Sequence, residues 1–258
     1  NQSMERKKSF NQAAVLYDEA RPSYPEPLIE DVIRITNISR DDKLLEIGAG
    51  TGKATLPFAR RGFRVHCVEL GDNLAAVLKA KCSDYPGITV DVDSFESWEP
   101  EAGKRFNLIY SAQAFHWIDP LIKYKKCHEL LAPNGYLALF WYDDVEQESG
   151  AFPEIKALLG DYITDFNKGI NQAEKVEAQK QEIVSSGYFR DIQVSEYFRD
   201  YTVSSDDYIK IINSHSGFMA LADFTKAELA REIRNIIANH GGCIASRLIF
   251  SLYVAKGR

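Results

Sequence analysis

The most informative cluster of residues is Leu44-Leu45-Glu46-Ile47-Gly48-Ala49-Gly50-Thr51-Gly52. An apolar run ends there in an acid and glycines at every second position, ahead of a helix-like stretch from Thr51 to Arg61. Glycine permits a sharp strand-to-helix turn and lets a ligand approach the backbone closely. The helix that follows opens with N–H groups lacking intrahelical partners, which suits an anionic or strongly polar ligand. Spacing separates the ligand classes. A phosphate loop needs lysine and then Ser or Thr after its last glycine; here Lys53 precedes Ala54, and Ile47 stands where the first glycine belongs. A phosphate loop is thereby ruled out. A dinucleotide turn runs Gly-x-Gly-x-x-Gly, whereas Lys53 takes the third glycine's place here. A nicotinamide reading is weakened but stays open.

Glu69 ends the run Phe63–Glu69 (FRVHCVE). A carboxylate at a strand end can accept two hydrogen bonds from ribose hydroxyls; alone, such an acid is more often just solvated, but beside the glycine turn the ligand role is favoured. Asp93-Ser94-Phe95-Glu96-Ser97-Trp98 follows the next run, and its aromatics fit either an apolar plug or a ligand wall. His116-Trp117 follows Ser111-Ala112-Gln113-Ala114-Phe115; with Asp119-Pro120 close behind, His116 reads equally as a helix cap and as a reactive group.

These residues act together only if strands and helices bring them to one edge. Lys43–Ile47, Phe63–Glu69, Ile88–Val92, Phe106–Ser111 and Tyr136–Trp141 read as strands. Thr51–Arg61, Asp72–Cys82 with Asp72 as N-cap, and a stretch through Leu131 stopped by Pro133-Asn134-Gly135 read as helices between them. Apolar strands alternating with helices indicate an α/β fold, a doubly wound and mostly parallel sheet with helices on both faces. Beyond Asp144 the pattern changes. Gly150–Gly187 reads as an insertion or lid of two charged helices, Asp206–Asn213 and Lys226–Asn239 as further helices, and Asp191–Phe198 and Leu248–Lys256 as strands.

The bulk properties narrow the partners. A net charge of −6 argues against a dedicated nucleic-acid binder. The short basic runs Arg6-Lys7-Lys8 and Lys123, Lys125, Lys126 read as solvated faces, and Asn1–Lys8 as a frayed end. Cys67, Cys82, Cys127 and Cys243 lie far apart, with neither zinc spacing nor a disulfide framework; Cys67 reads as a buried thiol. No metal is expected. Neither a leader nor an apolar stretch near 18 residues is evident, so a cytoplasmic chain with no membrane partner is expected.

The pattern Glu-x-Gly-x-Gly-x-Gly resembles the first motif of the class I S-adenosylmethionine-dependent methyltransferases. Ser111–Trp117, Tyr17-Asp18-Glu19-Ala20-Arg21-Pro22-Ser23-Tyr24-Pro25 and the stretch from Tyr201-Thr202 to Ser214-His215-Ser216-Gly217 resemble one branch of that family, the type 11 methyltransferases that include the trans-aconitate methyltransferases. The resemblance covers most of the chain outside Gly150–Gly187. It implies a Rossmann-like, seven-stranded sheet with a helical insertion, forming one domain over 1–258. That domain comprises a cofactor-covering segment over 1–40, a cofactor-binding half over 41–144, the insertion or lid over 145–190, and C-terminal strands and helices over 191–258. It implies S-adenosyl-L-methionine as cofactor, released as S-adenosyl-L-homocysteine.

By that likeness, the backbone of Gly48, Ala49, Gly50 and Thr51 meets the cofactor's amino-carboxylate, and Glu46 orients the turn. Glu69 holds the ribose and Leu70 packs on the adenine. Asp93, Ser94 and Phe95 close over the ring; the family often has Asp-Ala in this loop, so Asp93 is a second source of the amine contact. Ser111, Ala112 and Gln113 line the methionine side, and His116 and Trp117 border the methyl group. Tyr17 and Arg21 fold over the cofactor, where a buried arginine needs an anionic partner. Tyr24, His116 and His215 face the acceptor, a small molecule such as a carboxylate. A carboxylate needs no base; for other acceptors His116, Tyr17 or His215 could take the proton. The acceptor pocket is expected among the N-terminal segment, the insertion and the helix near Tyr208 to Phe218, where Phe152, Tyr162, Phe166, Phe218 and Phe224 read mostly as core or roof packing, in a monomer or homodimer. Two alternatives stand beside this reading: an NAD-dependent oxidoreductase, although no Tyr-x-x-x-Lys pair is placed for hydride transfer, and a non-catalytic S-adenosylmethionine-binding protein.

Overall fold

In the computed structural model, which describes residues 12–166, 169 and 171–258, the strand-like runs lie side by side in one sheet. Its strands are β1 (Lys43–Ile47), β2 (Arg64–Glu69), β3 (Ile88–Val92), β4 (Phe106–Ala112), β5 (Leu131–Glu146), β6 (Phe189–Ser204) and β7 (Cys243–Gly257). They run in the order β3-β2-β1-β4-β5-β7-β6, mostly parallel with one antiparallel hairpin. Central β1 and β4 are almost wholly buried, whereas β3 at the sheet edge is half exposed. The register sets Glu46 of β1 between Cys67 of β2 and Tyr110 of β4. The chain winds outward through β1, β2 and β3, then returns to β4 beside β1. That reversal opens a crevice beyond the carboxyl ends of the strands, where open α/β sheets bind ligands.

Residues 12–20 form helix α1. Helix α2 (Glu26–Thr36) starts behind Pro25, buries Leu28, Ile29 and Val32, and ends where Asn37 turns left-handed at φ 51°. Along the sheet follow α3 (Thr55–Arg60), α4 (Asp72–Lys81), a 3-10 turn at Phe115–Trp117 and α5 (Lys123–Leu130). Helix α3 starts later than the expected Thr51, because Gly52 at φ +100° cannot continue a helix backward. Gly71, not Asp72, is the N-cap of α4, so Asp72 occupies its first helical position. Leu131 opens β5 instead of closing a helix, with a register irregularity before Tyr136. Lys123 and Lys126 of α5 are buried instead of solvated, since each turns its amine to acceptors at the core's edge. Asn1–Lys8 lies outside the described residues.

The chain packs as two compact units. The first comprises the described residues up to Trp141 with Val176–Tyr197 and Phe250–Arg258; its core includes Leu45, Ile47, Ile109, Leu137 and Leu139. The second comprises the described residues of Tyr142–Lys175 with Phe198–Ile249. It contains α6 (Phe152–Gly160), α8 (Ser205–Asn213), α9 (Ser216–Met219) and α10 (Asp223–Asn239), which enclose Phe152, Ile155, Phe218, Leu229 and Ile233. The segment 145–190 is divided between the two. Helix α6 lies in the second unit, while α7 (Gln172–Ser185) packs Val176 and Ile183 into the core of the first. All four cysteines are free and Cys67 is buried. Among the described residues, no helix is long and apolar enough to cross a membrane, and no group of three or more metal-ligating side chains could hold an ion.

Candidate functional site

Where β1, β2, β3 and β4 end, the first unit encloses a cavity of about 390 Å3, within the roughly 300–1,000 Å3 usual for small-molecule sites. Its floor is the glycine turn. Gly48 (φ +70°) and Gly50 (φ +57°) are left-handed, a region that penalises any side chain. A Cβ on Gly48 would sit 2.4 Å from that of Ala114, and one on Gly50 would sit 3.0 Å from the Asp18 carboxylate oxygens. The turn thus exposes backbone to the cavity while α1 and the segment after β4 close in on it.

Carboxylates organise the floor. Glu46 is buried, and its Oε1 accepts from Thr55 Oγ1 (2.5 Å) and Tyr110 OH (2.9 Å). Desolvation, only partly offset by these bonds, pushes its pKa up to about 8, so the neutral acid predominates at neutral pH. Glu46 therefore braces β1 to α3 and β4. Glu69, also buried, holds the turn: Gly50 N donates to its Oε2 (2.6 Å) and Gly71 N to its Oε1 (3.0 Å). Burial raises its pKa too, against the pull of those two amides.

Asp18 of α1 was not singled out as a site residue, because nothing local marks it. Its Oδ2 accepts from Thr51 N (2.8 Å) and from Thr51 Oγ1, tying α1 to the glycine turn across 33 residues of sequence. Arg21 stands 3.5 Å from Asp18 and packs its guanidinium 4.9 Å over the Tyr17 ring, yet its Nε is buried without a hydrogen-bond partner. A buried donor left unmade costs about 1–3 kcal/mol, so Arg21 is poised for a further acceptor.

The walls follow from the strand ends. Asp93 N donates to Glu69 O, and Asp93 Oδ1 accepts from Ser94 N, which shapes the loop that brings Phe95 to the cavity. Trp98 does not line it; its ring is core and its Nε1 donates to Asp91. Gln113, a non-glycine residue at φ 57°, donates its N–H to Phe140 O, a strained conformation of the kind that gathers at functional sites. Tyr17, Leu70 and Trp117 are 66%, 71% and 80% exposed at the rim.

Of the expected residues, Tyr17, Arg21, Tyr24, Glu46, Gly48, Ala49, Gly50, Glu69, Leu70, Asp93, Ser94, Phe95, Ala112, Gln113 and Trp117 line this one cavity. Four expected residues do not. Thr51 is turned to Asp18, and Ser111 Oγ donates to Ile47 O (2.8 Å), bracing β4 to β1. His116 Nδ1 accepts from Trp141 Nε1 (3.1 Å); since indole only donates, the lone pair a base would use is occupied. His215 belongs to the second unit, where its Nδ1 caps α9 by accepting from Gly217 N (3.2 Å). Phe152 and Phe218 are core residues of that unit, and Tyr162 and Phe224 are exposed. Lys53, Leu74, Glu96, Ala114 and Ile118 line the cavity without having been expected. Lys53 follows the glycines directly and could have been included on adjacency alone.

Residues 45–139, which carry the glycine turn and the four strands around it, match a methyltransferase domain family. An uncharacterized methyltransferase of Mycobacterium bovis is 28% identical over 152 residues, 59% of each chain, so the chain spans about three fifths of that relative's length. An uncharacterized methyltransferase of Schizosaccharomyces pombe is 26% identical over 86% of this chain and 84% of its own. Among solved structures, a proposed type II methyltransferase from Anaeromyxobacter dehalogenans superposes with a TM-score of 0.58 at 19% identity, over 92% of this chain and 97% of that one. The YcgJ protein of Bacillus subtilis gives 0.55 at 15%, over 91% and 99%. At such identities these structures speak for the fold. Residues 45–139 thus carry a methyltransferase domain, and the relatives that the chain resembles are likewise methyltransferases.

Proposed function

We propose that the chain transfers the methyl group of S-adenosylmethionine to a small-molecule acceptor, with a carboxylate oxygen as the favoured acceptor atom. The observation that carries the reading is the convergence of the left-handed glycine turn, Glu69 and the orphaned Arg21 Nε on one cavity at the sheet's switch point. The chemistry of this lining fits the cofactor. Exposed turn backbone suits an amino-carboxylate, a buried acid at a strand end suits a ribose diol, and Leu70 and Phe95 suit a purine. When bound, S-adenosylmethionine supplies an electrophilic methyl group on a sulfonium centre.

The residues would divide the work as follows. Gly48, Ala49 and Gly50 hold the amino-carboxylate end, Glu69 the ribose, and Asp93, Ser94 and Phe95 the adenine. Ala112, Gln113 and Trp117 flank the methionine side. Tyr17 and Tyr24 cover the site and exclude water, so that acceptor and methyl group stay in line. Arg21 neutralises a carboxylate, of cofactor or acceptor. The occupied lone pair of His116 favours an acceptor already deprotonated at neutral pH, for which no base is required. For a hydroxyl or amine acceptor, Tyr17 is the candidate proton acceptor in the lining.

The test is turnover. Purified chain with S-adenosylmethionine is screened against small carboxylates, with homocysteine-nucleoside release as readout. Release dependent on a carboxylate supports the reading. Release only with amines or hydroxyls moves the acceptor class, and none with any acceptor, despite cofactor binding, favours a non-catalytic binding protein.

A further inference from the structure

Lysine is rarely buried unless its amine is fully partnered. Lys126 of α5 is 8% exposed. A lysine amine has three N–H donors, and Nζ finds three acceptors on one short segment: the backbone carbonyls of Trp98 and Glu96 (3.3 Å) and the carboxylate of Glu99 (3.3 Å). The same Nζ lies 5.2 Å from the Phe95 ring centroid, within cation–π range. The segment is tied a second time, because Glu96 Oε1 accepts from Asp119 N (3.0 Å). Thus the loop after β3 is fastened to the structure following β4. Ser94 and Phe95 form one wall of the cavity, and Ala114, Trp117 and Ile118 stand on the β4 side. Nothing in methyl transfer itself uses Lys126.

We propose that Lys126 is a positioning residue that fixes the loop carrying Ser94 and Phe95, and thereby sets the site's selectivity for the 6-amino group of the cofactor's purine. The inference rests on reading the cavity as the S-adenosylmethionine site. A backbone can tell a 6-amino from a 6-oxo group only if its N–H and C=O groups are held within tenths of an ångström, since hydrogen bonds weaken steeply with misalignment. Three bonds from a single amine supply that constraint. Without them, the carbonyls of Glu96 and Trp98 lose their partner and the loop shifts to find another.

The test is calorimetric titration of the full chain with S-adenosylhomocysteine and with its 6-oxo analogue, S-inosylhomocysteine. Wild type is expected to prefer the 6-amino ligand by about tenfold or more, the scale of one well-made hydrogen bond. Lys126→Met should weaken the 6-amino ligand about tenfold while changing the 6-oxo ligand less than about twofold, so the preference collapses. Lys126→Arg, which keeps several donors, should restore most of it. Should Lys126→Met fail to fold, Lys126→Gln, with one amide left to donate, should give the same selective loss at intermediate size. Unchanged affinities, or equal losses for both ligands, would overturn the proposal, the latter marking Lys126 as structural only. A folded wild-type chain that binds neither ligand would instead overturn the cofactor reading beneath it.

Discussion

Replacing Glu69 by glutamine tests both duties of this side chain. In the protein, its two oxygens each accept one backbone donor, Gly50 N at 2.6 Å and Gly71 N at 3.0 Å. Glutamine offers one oxygen and one NH2, so one backbone N–H must face another donor. An unmade buried bond costs about 1–3 kcal/mol. The relief from desolvating a carboxylate, evident in its raised pKa, returns part of that. A net loss near 1–2 kcal/mol, at about 2–4 °C per kcal/mol for a chain of this size, lowers Tm by roughly 2–8 °C. If the carboxylate also holds the ribose, losing charge-assisted acceptors weakens S-adenosylhomocysteine by about 1.5–3 kcal/mol, or roughly 10–150-fold. Thermal unfolding reads the first effect and calorimetric titration the second. Lower Tm with wild-type affinity would reduce Glu69 to a brace of the turn and refute the ribose assignment.

The other perturbations follow from neighbouring contacts. Gly50→Val pushes a side chain against the Asp18 carboxylate in a left-handed conformation, so α1 should lift from the turn. Faster hydrogen exchange over residues 12–20 and at least about tenfold weaker cofactor binding are expected, and unchanged exchange would contradict the tie through Asp18. Glu46 titrates near 8 when folded against 4.5 as the ordinary value. Its contribution is therefore full below pH 4.5 and is lost as pH rises through 8, on the order of several kcal/mol. Glu46→Gln, which mimics the neutral acid and cannot ionise in the unfolded chain, should be at least as stable as wild type at pH 7 and flatten the fall in Tm between about pH 5 and 8; a variant that falls as steeply as wild type would refute the buried neutral acid. Arg21→Met should weaken S-adenosylhomocysteine but not 5′-methylthioadenosine, which lacks the amino-carboxylate, if Arg21 serves the cofactor. Equal affinity for both, with acceptor KM raised instead, assigns it to the acceptor.

Central β1 and β4 were legible because burial on both faces leaves largely apolar runs, and edge strand β3 because Ile-Thr-Val-Asp-Val alternates; Lys43–Ile47 and Ile88–Val92 end where expected. The glycine turn was legible because few conformations other than a ligand-facing turn require glycine at both 48 and 50. Helix α2 was missed although Pro25 and the spacing of Leu28, Ile29 and Val32 announce it. Asp18 was missed for a different reason, since its partner lies 33 residues away and no local pattern encodes that contact. The charge of Lys123 and Lys126 pointed the wrong way: a lysine looks solvated in sequence, and only distant partners permit burial, the Glu182 carboxylate for Lys123 and the carbonyls of Glu96 and Trp98 for Lys126. His116 illustrates the limit of motif transfer, because the motif supplies the residue and Trp141 decides what its ring nitrogen does.

The central claim is that the cavity above Gly48 and Gly50 holds S-adenosylmethionine. Calorimetric titration of the purified chain with S-adenosylmethionine, S-adenosylhomocysteine and NAD in parallel tests it most directly. Binding of both sulfur ligands at micromolar affinity, about 8 kcal/mol, with no heat from NAD is the predicted result. Binding of NAD alone would contradict the account and make hydride transfer the leading reading.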